Sequence, residues 1–177
     1  NCHEHEDYLF FKMGTLLKKN GDPYTVFTPF RNNGYKFKVQ KPVKLKMKNI
    51  ANINLEDDGY IDYSINKNIL VKGGRKQGLK VLKKVKNQED YNEDRNNLTI
   101  STTQLSAYIK FGCVSIREVY WKIMDTLGIK NSLVSQLFWR EFYFYVVYYF
   151  PYVLKGRNYN PKYDGIKWTK NMANFKK

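Results

Sequence analysis

Gln136-Leu137-Phe138-Trp139-Arg140-Glu141-Phe142-Tyr143 lies inside an apolar run of helical period, and its reading decides the fold. Positions 136, 139, 140 and 143 share one face at helical spacing. Gln136 offers a donor and an acceptor that can read a base edge, and Trp139 offers a stacking surface. Arg140 can pair with a phosphate or a buried acid, and Tyr143 adds a ring and a hydroxyl. Val134, Leu137, Phe138 and Phe144 fall on the opposite side and read as core. Ser132 or Ser135 can start this helix, which runs to Phe150 before Pro151.

Working upstream, Ser115 is a good N-cap with Glu118 at the capping-box position. Ile116, Val119, Tyr120 and Ile123 form an apolar stripe that Gly128 closes. Leu105, Ile109 and Val114 begin this helical region. Thr102-Thr103-Gln104-Leu105-Ser106 precedes it, with side-chain hydroxyls and free backbone N–H groups at a helix start, a turn suited to a diphosphate. Gly73-Gly74 opens a basic helix predicted over 75–86, with Leu79, Val81, Leu82 and Val85 apolar; no Lys-Ser/Thr follows the glycines, so they are no P-loop. Lys36 to Lys48 holds six lysines and no acid, and with the stretch to Asn68 it reads as a long connector. Its Asp57-Asp58-Gly59 turn lacks the later ligands of a calcium loop. Tyr24 to Thr28 has strand composition, and Pro29 can start the helix after it.

The composition narrows the partners. Aromatic residues make up 16% of the chain, with 15 tyrosines and 11 phenylalanines, and the formal charge is +15. A surface this basic is drawn to polyanions, of which nucleic acid is the commonest. Cys2 and Cys113 are too few for a disulfide framework or a zinc site, and a reducing compartment fits them. Nothing reads as a secretory signal or a bilayer-spanning run; the most apolar stretch, 133–150, contains Arg140 and Glu141. The chain begins at Asn1, with no element signal before Tyr8, and is expected to start inside a larger protein.

Tyr91-Asn-Glu-Asp-Arg95, Thr102-Thr-Gln-Leu-Ser106 with Gly112 after it, and Gln136-Leu-Phe-Trp139-Arg140-Glu141-Phe142-Tyr143 together resemble the start of the flavin domain of DNA photolyases and cryptochromes, and class I deoxyribodipyrimidine photolyases in particular. The stretch from Gly21 to Phe30 looks like the last strand of that family's α/β domain. Gly73-Gly74 and the helix after it match the crossing into the flavin domain, and Asn160 to Trp168 is also similar. The resemblance covers nearly the whole chain, in order. It implies an α+β fragment that is mainly α: residues 1–35 as the tail of an α/β (Rossmann-like) domain, 36–90 as a connector with a basic helix, and 91–177 as the first helices of an all-α FAD-binding domain.

Carried over by residue, the resemblance implies FAD held by Tyr91, Thr102, Thr103, Gln104, Leu105 and Ser106. Arg95 would contact a DNA phosphate. Gln136, Trp139, Arg140 and Tyr143 would line the cavity for a pyrimidine dimer flipped out of DNA. The implied activity is light-driven repair of such dimers by reduced FAD, inside the cell at its DNA, with no metal. The alternatives are a cryptochrome-like photoreceptor without repair, and a flavin-free basic DNA-binding module. Departures from the family pattern are Thr103 in place of serine, Gln136 where many cyclobutane-dimer enzymes carry glutamate, and Leu133 where some relatives carry tryptophan. The family's electron-transfer tryptophans and its antenna region have no counterpart in the sequence, which leaves the catalytic residues and the antenna unknown and a second polypeptide open as the source of the rest.

Overall fold

The computed structural model describes residues 8–43 and 68–167, together with Cys2 and Met172. Among these residues the regular structure is helical: α1 (Phe27–Gly34), α2 (Arg75–Lys83), α3 (Tyr91–Asp94), α4 (Leu105–Lys110), α5 (Ile116–Leu127) and α6 (Ser132–Tyr149). A 3-10 segment, Lys84–Gln88, continues α2, and two more, Pro151–Lys155 and Pro161–Tyr163, follow α6. Residues 44–67, with the Asp57-Asp58-Gly59 turn, and Trp168 lie outside the described residues.

Helix α6 is the centre of the core and packs against α1, α3 and α5. Leu133, Val134, Leu137, Phe138, Phe142, Tyr145 and Val146 are all buried, a stripe at i, i+1, i+4 spacing wide enough to meet partners on more than one side. Its cap is Asn131, not a serine: the side chain accepts a hydrogen bond from Leu133 N at 3.0 Å, and Ser132 is the first helical residue. Helix α5 follows the sequence closely. Ser115 and Glu118 form both halves of a capping box, Ile116, Val119, Tyr120 and Ile123 are buried, and Gly128 ends the helix at φ +78°. The basic helix is shorter than the 75–86 expectation, since its last turn tightens to 3-10 from Lys84.

The strand expected at Tyr24 to Thr28 does not form. Phe27 and Thr28 are the first two residues of α1, and Pro29 sits in its first turn, where a missing N–H costs nothing. Strand-like composition needs a neighbouring strand, and among the described residues the β pairing is a single isolated bridge, Leu17 to Pro23. Phe27 and Phe30 gain more by burial on α6, where Phe30 meets Phe142 and Tyr145 at centroid distances of 5.3 and 5.0 Å.

Residues 8–16 are irregular yet firmly docked. Phe10 and Leu16 are buried, and side chains of α6 satisfy the backbone there. Phe10 N and Phe11 N donate to the Glu141 carboxylate at 3.0 and 3.3 Å, and Leu16 N donates to the Tyr145 hydroxyl at 3.0 Å. Buried peptide groups outside a helix or sheet need such partners.

Candidate flavin and nucleic-acid site

Two cavities flank the N-terminal half of α6 and meet at Gln136. The smaller, about 350 Å³, is lined by Tyr91, all five residues from Thr102 to Ser106, Gln136 and Arg140, over an apolar floor that includes Ile109, Ile123 and Leu137. The larger, about 600 Å³, is lined by Arg31, Arg95, Lys130, Gln136 and Trp139, together with Phe27, Tyr35 and several hydroxyls and amides. Among the described residues no acid lines the larger one.

The turn in the smaller cavity is held in an uncommon shape. Gln104 has φ +53°, the one positive φ outside glycine among the described residues, which costs a long side chain roughly 1–2 kcal/mol. Its Nε2 donates to Ser101 Oγ at 2.9 Å, and Thr103 Oγ1 accepts from Leu105 N at 3.3 Å. Leu105 is buried and anchors the start of α4. Strain held by local bonds keeps hydroxyls and amides gathered beside the cavity.

Arg140 leaves the face that carries Trp139. Its Nη1 donates to the Tyr8 carbonyl at 2.7 Å, and its guanidinium lies over the Tyr8 and Phe144 rings at 4.2 and 4.8 Å. Its Nη2 is buried and has no hydrogen-bond partner among the described residues, an expensive state for a charged donor. An arginine and a hydroxyl-rich turn on one lining fit a phosphate-bearing cofactor. The volume sits at the low end of ligand pockets, about 300–1,000 Å³.

Trp139 forms the aromatic wall of the larger cavity. It stacks on Phe27 with centroids 3.6 Å apart and planes 9° apart, and Tyr143 lies 5.5 Å away at 26°. Tyr143 is exposed and does not line the cavity. Arg31 reaches Ser135 Oγ at 3.5 Å and sits over both Phe27 and Tyr35 at 5.6 Å. Burial raises the Tyr35 phenol above its ordinary range, with Arg31 opposing it. Three cations, an indole and a free amide with no acid among them suit a phosphodiester beside a base.

No protein-family model matches the chain. Known proteins do. The chain is 28% identical over 180 residues to the deoxyribodipyrimidine photo-lyase of Alkalihalophilus pseudofirmus, covering 93% of this chain and 37% of that protein. It is 31% identical over 138 residues to the (6-4) DNA photolyase of Oryza sativa subsp. japonica, covering 68% and 24%. Cryptochrome-1 of Mus musculus is 38% identical over 94 residues, covering 49% and 15%. The chain belongs to the photolyase/cryptochrome family. The solved structure of a bacterial class III photolyase from Agrobacterium tumefaciens superposes with a TM-score of 0.75 over 96% of this chain and 39% of that one, at 20% identity, which shows a shared fold.

Sequence reasoning missed two cations on the lining of the larger cavity and one buried acid on α6. Arg31 and Lys130 reach the larger cavity from α1 and from the α5–α6 loop, and only folding brings them beside Arg95. Glu141 is the third. It is fully buried, and desolvation raises its carboxyl to about 7 against the bonds from Phe10 and Phe11 and the charges of Arg140 and Arg117. Among the described residues there is no His/Cys/Asp/Glu cluster that could hold a metal, and no helix is long and apolar enough to cross a membrane.

Proposed function

We propose that the chain supplies part of the flavin site and part of the lesion cavity of a DNA photolyase that repairs pyrimidine dimers in light. The carrying observation is the pair of cavities that meet at Gln136, one rich in hydroxyls and amides, the other cationic and aromatic. FAD, when bound, supplies the electron that opens the dimer. Tyr91 and residues 102–106 would hold the cofactor's polar backbone, with Arg140 on the same lining adding positive charge for its phosphates. Arg31, Arg95 and Lys130 bind the DNA backbone. Trp139 offers its ring edge and remaining face to the extruded base, an extrusion general to enzymes that act on bases, and Gln136 hydrogen-bonds its edge.

Under this reading residues 1–35 end an α/β domain, 36–90 cross between domains, and 91–177 begin the helical flavin domain. The location is intracellular, at DNA, and a further polypeptide segment completes the flavin site. The chain spans 37% and 24% of its photolyase relatives from Alkalihalophilus and rice, so repair belongs to the complete protein.

The test is illumination of the complete, reduced protein with DNA carrying a cyclobutane or a (6-4) dimer. Loss of one lesion supports the reading and names the substrate. Unchanged DNA with flavin bound would sink repair and leave a photoreceptor.

A further inference from the structure

Away from the larger cavity, a cationic groove runs between residues 8–15, residues 38–43 and the start of α5. It consists of two adjoining hollows, of about 340 and 570 Å³, that share Gln40 and Arg117. Lys12 and Lys38 line the first, and Lys41 and Arg75 line the second. Among the described residues Glu118 is the one acid on either lining, and both its oxygens already meet Arg75, at 2.7 and 3.0 Å. Among the described residues no further acid on either lining offsets the exposed lysines. Aromatic rings accompany them. Phe37, 40% exposed, packs on Phe11 at 5.8 Å beside Lys38. Lys41 lies 5.1 Å over Trp121, whose Nε1 donates to the Gln40 carbonyl at 3.1 Å and so fixes this wall.

We propose that this groove is a second nucleic-acid site, one that takes the backbone of an unmodified single strand with bases against Phe37 and Tyr8. A lone phosphate calls for donors that converge on one point. Here the cations are spaced along two hollows, with Tyr8 exposed on the lining of the second and Phe37 exposed at the border of the first, which is how proteins track a flexible strand. The groove shares no lining residue with the cavity of Arg95 and Trp139. Strand capture there is thus independent of lesion recognition, and it serves to hold DNA that is unpaired near a damaged site.

The experiment measures binding of a fluorescent oligothymidylate to the 177-residue chain across a salt series. Lys12→Glu, Lys38→Glu and Lys41→Glu are combined in one variant, and Lys76→Glu, Lys80→Glu and Lys83→Glu on α2 in a control of equal charge change. The groove variant should flatten the log–log salt dependence by about 2, since each lost phosphate contact removes ~0.7 on a single strand. The control should keep the original slope. A glutamine version of the groove triple guards against misfolding and should show the same flattening. Phe37→Ala should weaken binding about tenfold without changing the slope. Equal flattening in groove and control variants, or none in either groove variant, overturns the proposal.

Discussion

Trp139 lies flat on Phe27, its centroid 3.6 Å from that ring and its plane 9° away, so one face of the indole is already occupied by α1. The side chain has two duties, docking α1 and offering a surface to the larger cavity. A double-mutant cycle between Phe27→Ala and Trp139→Ala should give a coupling of about 0.5–1.5 kcal/mol in stability. In the complete protein, Trp139→Ala should weaken damaged DNA more than intact DNA, whereas Trp139→Phe should retain the stack and most of the stability. Equal losses on both DNAs would make Trp139 a packing residue only.

Arg140 ties its guanidinium to the Tyr8 carbonyl, and the residue lines the smaller cavity. Arg140→Lys keeps the charge but not the fork of donors, and it should weaken FAD binding by about tenfold, the scale of ~1.5 kcal/mol for a hydrogen bond to a charged group. The readout is a titration of the complete apoprotein followed by flavin fluorescence. Thr102→Ala with Ser106→Ala should weaken it through the other wall of the same cavity. Wild-type affinity in Arg140→Lys would return Arg140 to a purely structural role.

Glu141 predicts a pH dependence of stability. Its carboxyl titrates near 4.5 when exposed and at about 7 in the fold, chiefly through desolvation. Between those values the folded state keeps a proton that the unfolded state has lost, so stability should fall as pH rises from about 4.5 to 7 and level off above it. The size is on the order of 3 kcal/mol. Glu141→Gln retains an acceptor for Phe10 N or Phe11 N without the charge, and it should remove that slope. Urea midpoints at pH 5, 6, 7 and 8 decide it; an undiminished slope in the glutamine variant assigns the effect elsewhere.

What the sequence made legible was local. Ser115 and Glu118 announce the capping box, the period of 116–123 announces the buried face of α5, and Thr102 to Ser106 with Gln136 announced residues that do converge on one cavity. What stayed hidden depends on tertiary partners. Phe27 and Thr28 read as strand because composition cannot show that α6 waits to bury Phe27. Arg140 shares a helical face with Trp139 by spacing, but the Tyr8 carbonyl and two rings draw it the other way. Glu141 stands in the sequence as an acid inside an apolar run, and only the fold shows that its partners are the backbone N–H groups of Phe10 and Phe11.

Gly34, the last residue of α1, tests how tightly that helix is seated on α6. A Cβ there would stand 2.5 Å from Phe138 Cε1 and 3.3 Å from Leu16 Cδ1. Phe138 and Leu16 are 1% and 0% exposed, so neither has room to yield. Gly34→Ala should cost about 1–3 kcal/mol, as overpacking does, even though alanine is the better helix former. Gly73→Ala is the matched control: nothing lies within 4 Å of its Cβ position, and the change should stay within about 0.5 kcal/mol. Thermal melts of the two variants should separate clearly. If Gly34→Ala melts with the parent chain, α1 is loosely held, and with it the Phe27 ring on which Trp139 rests.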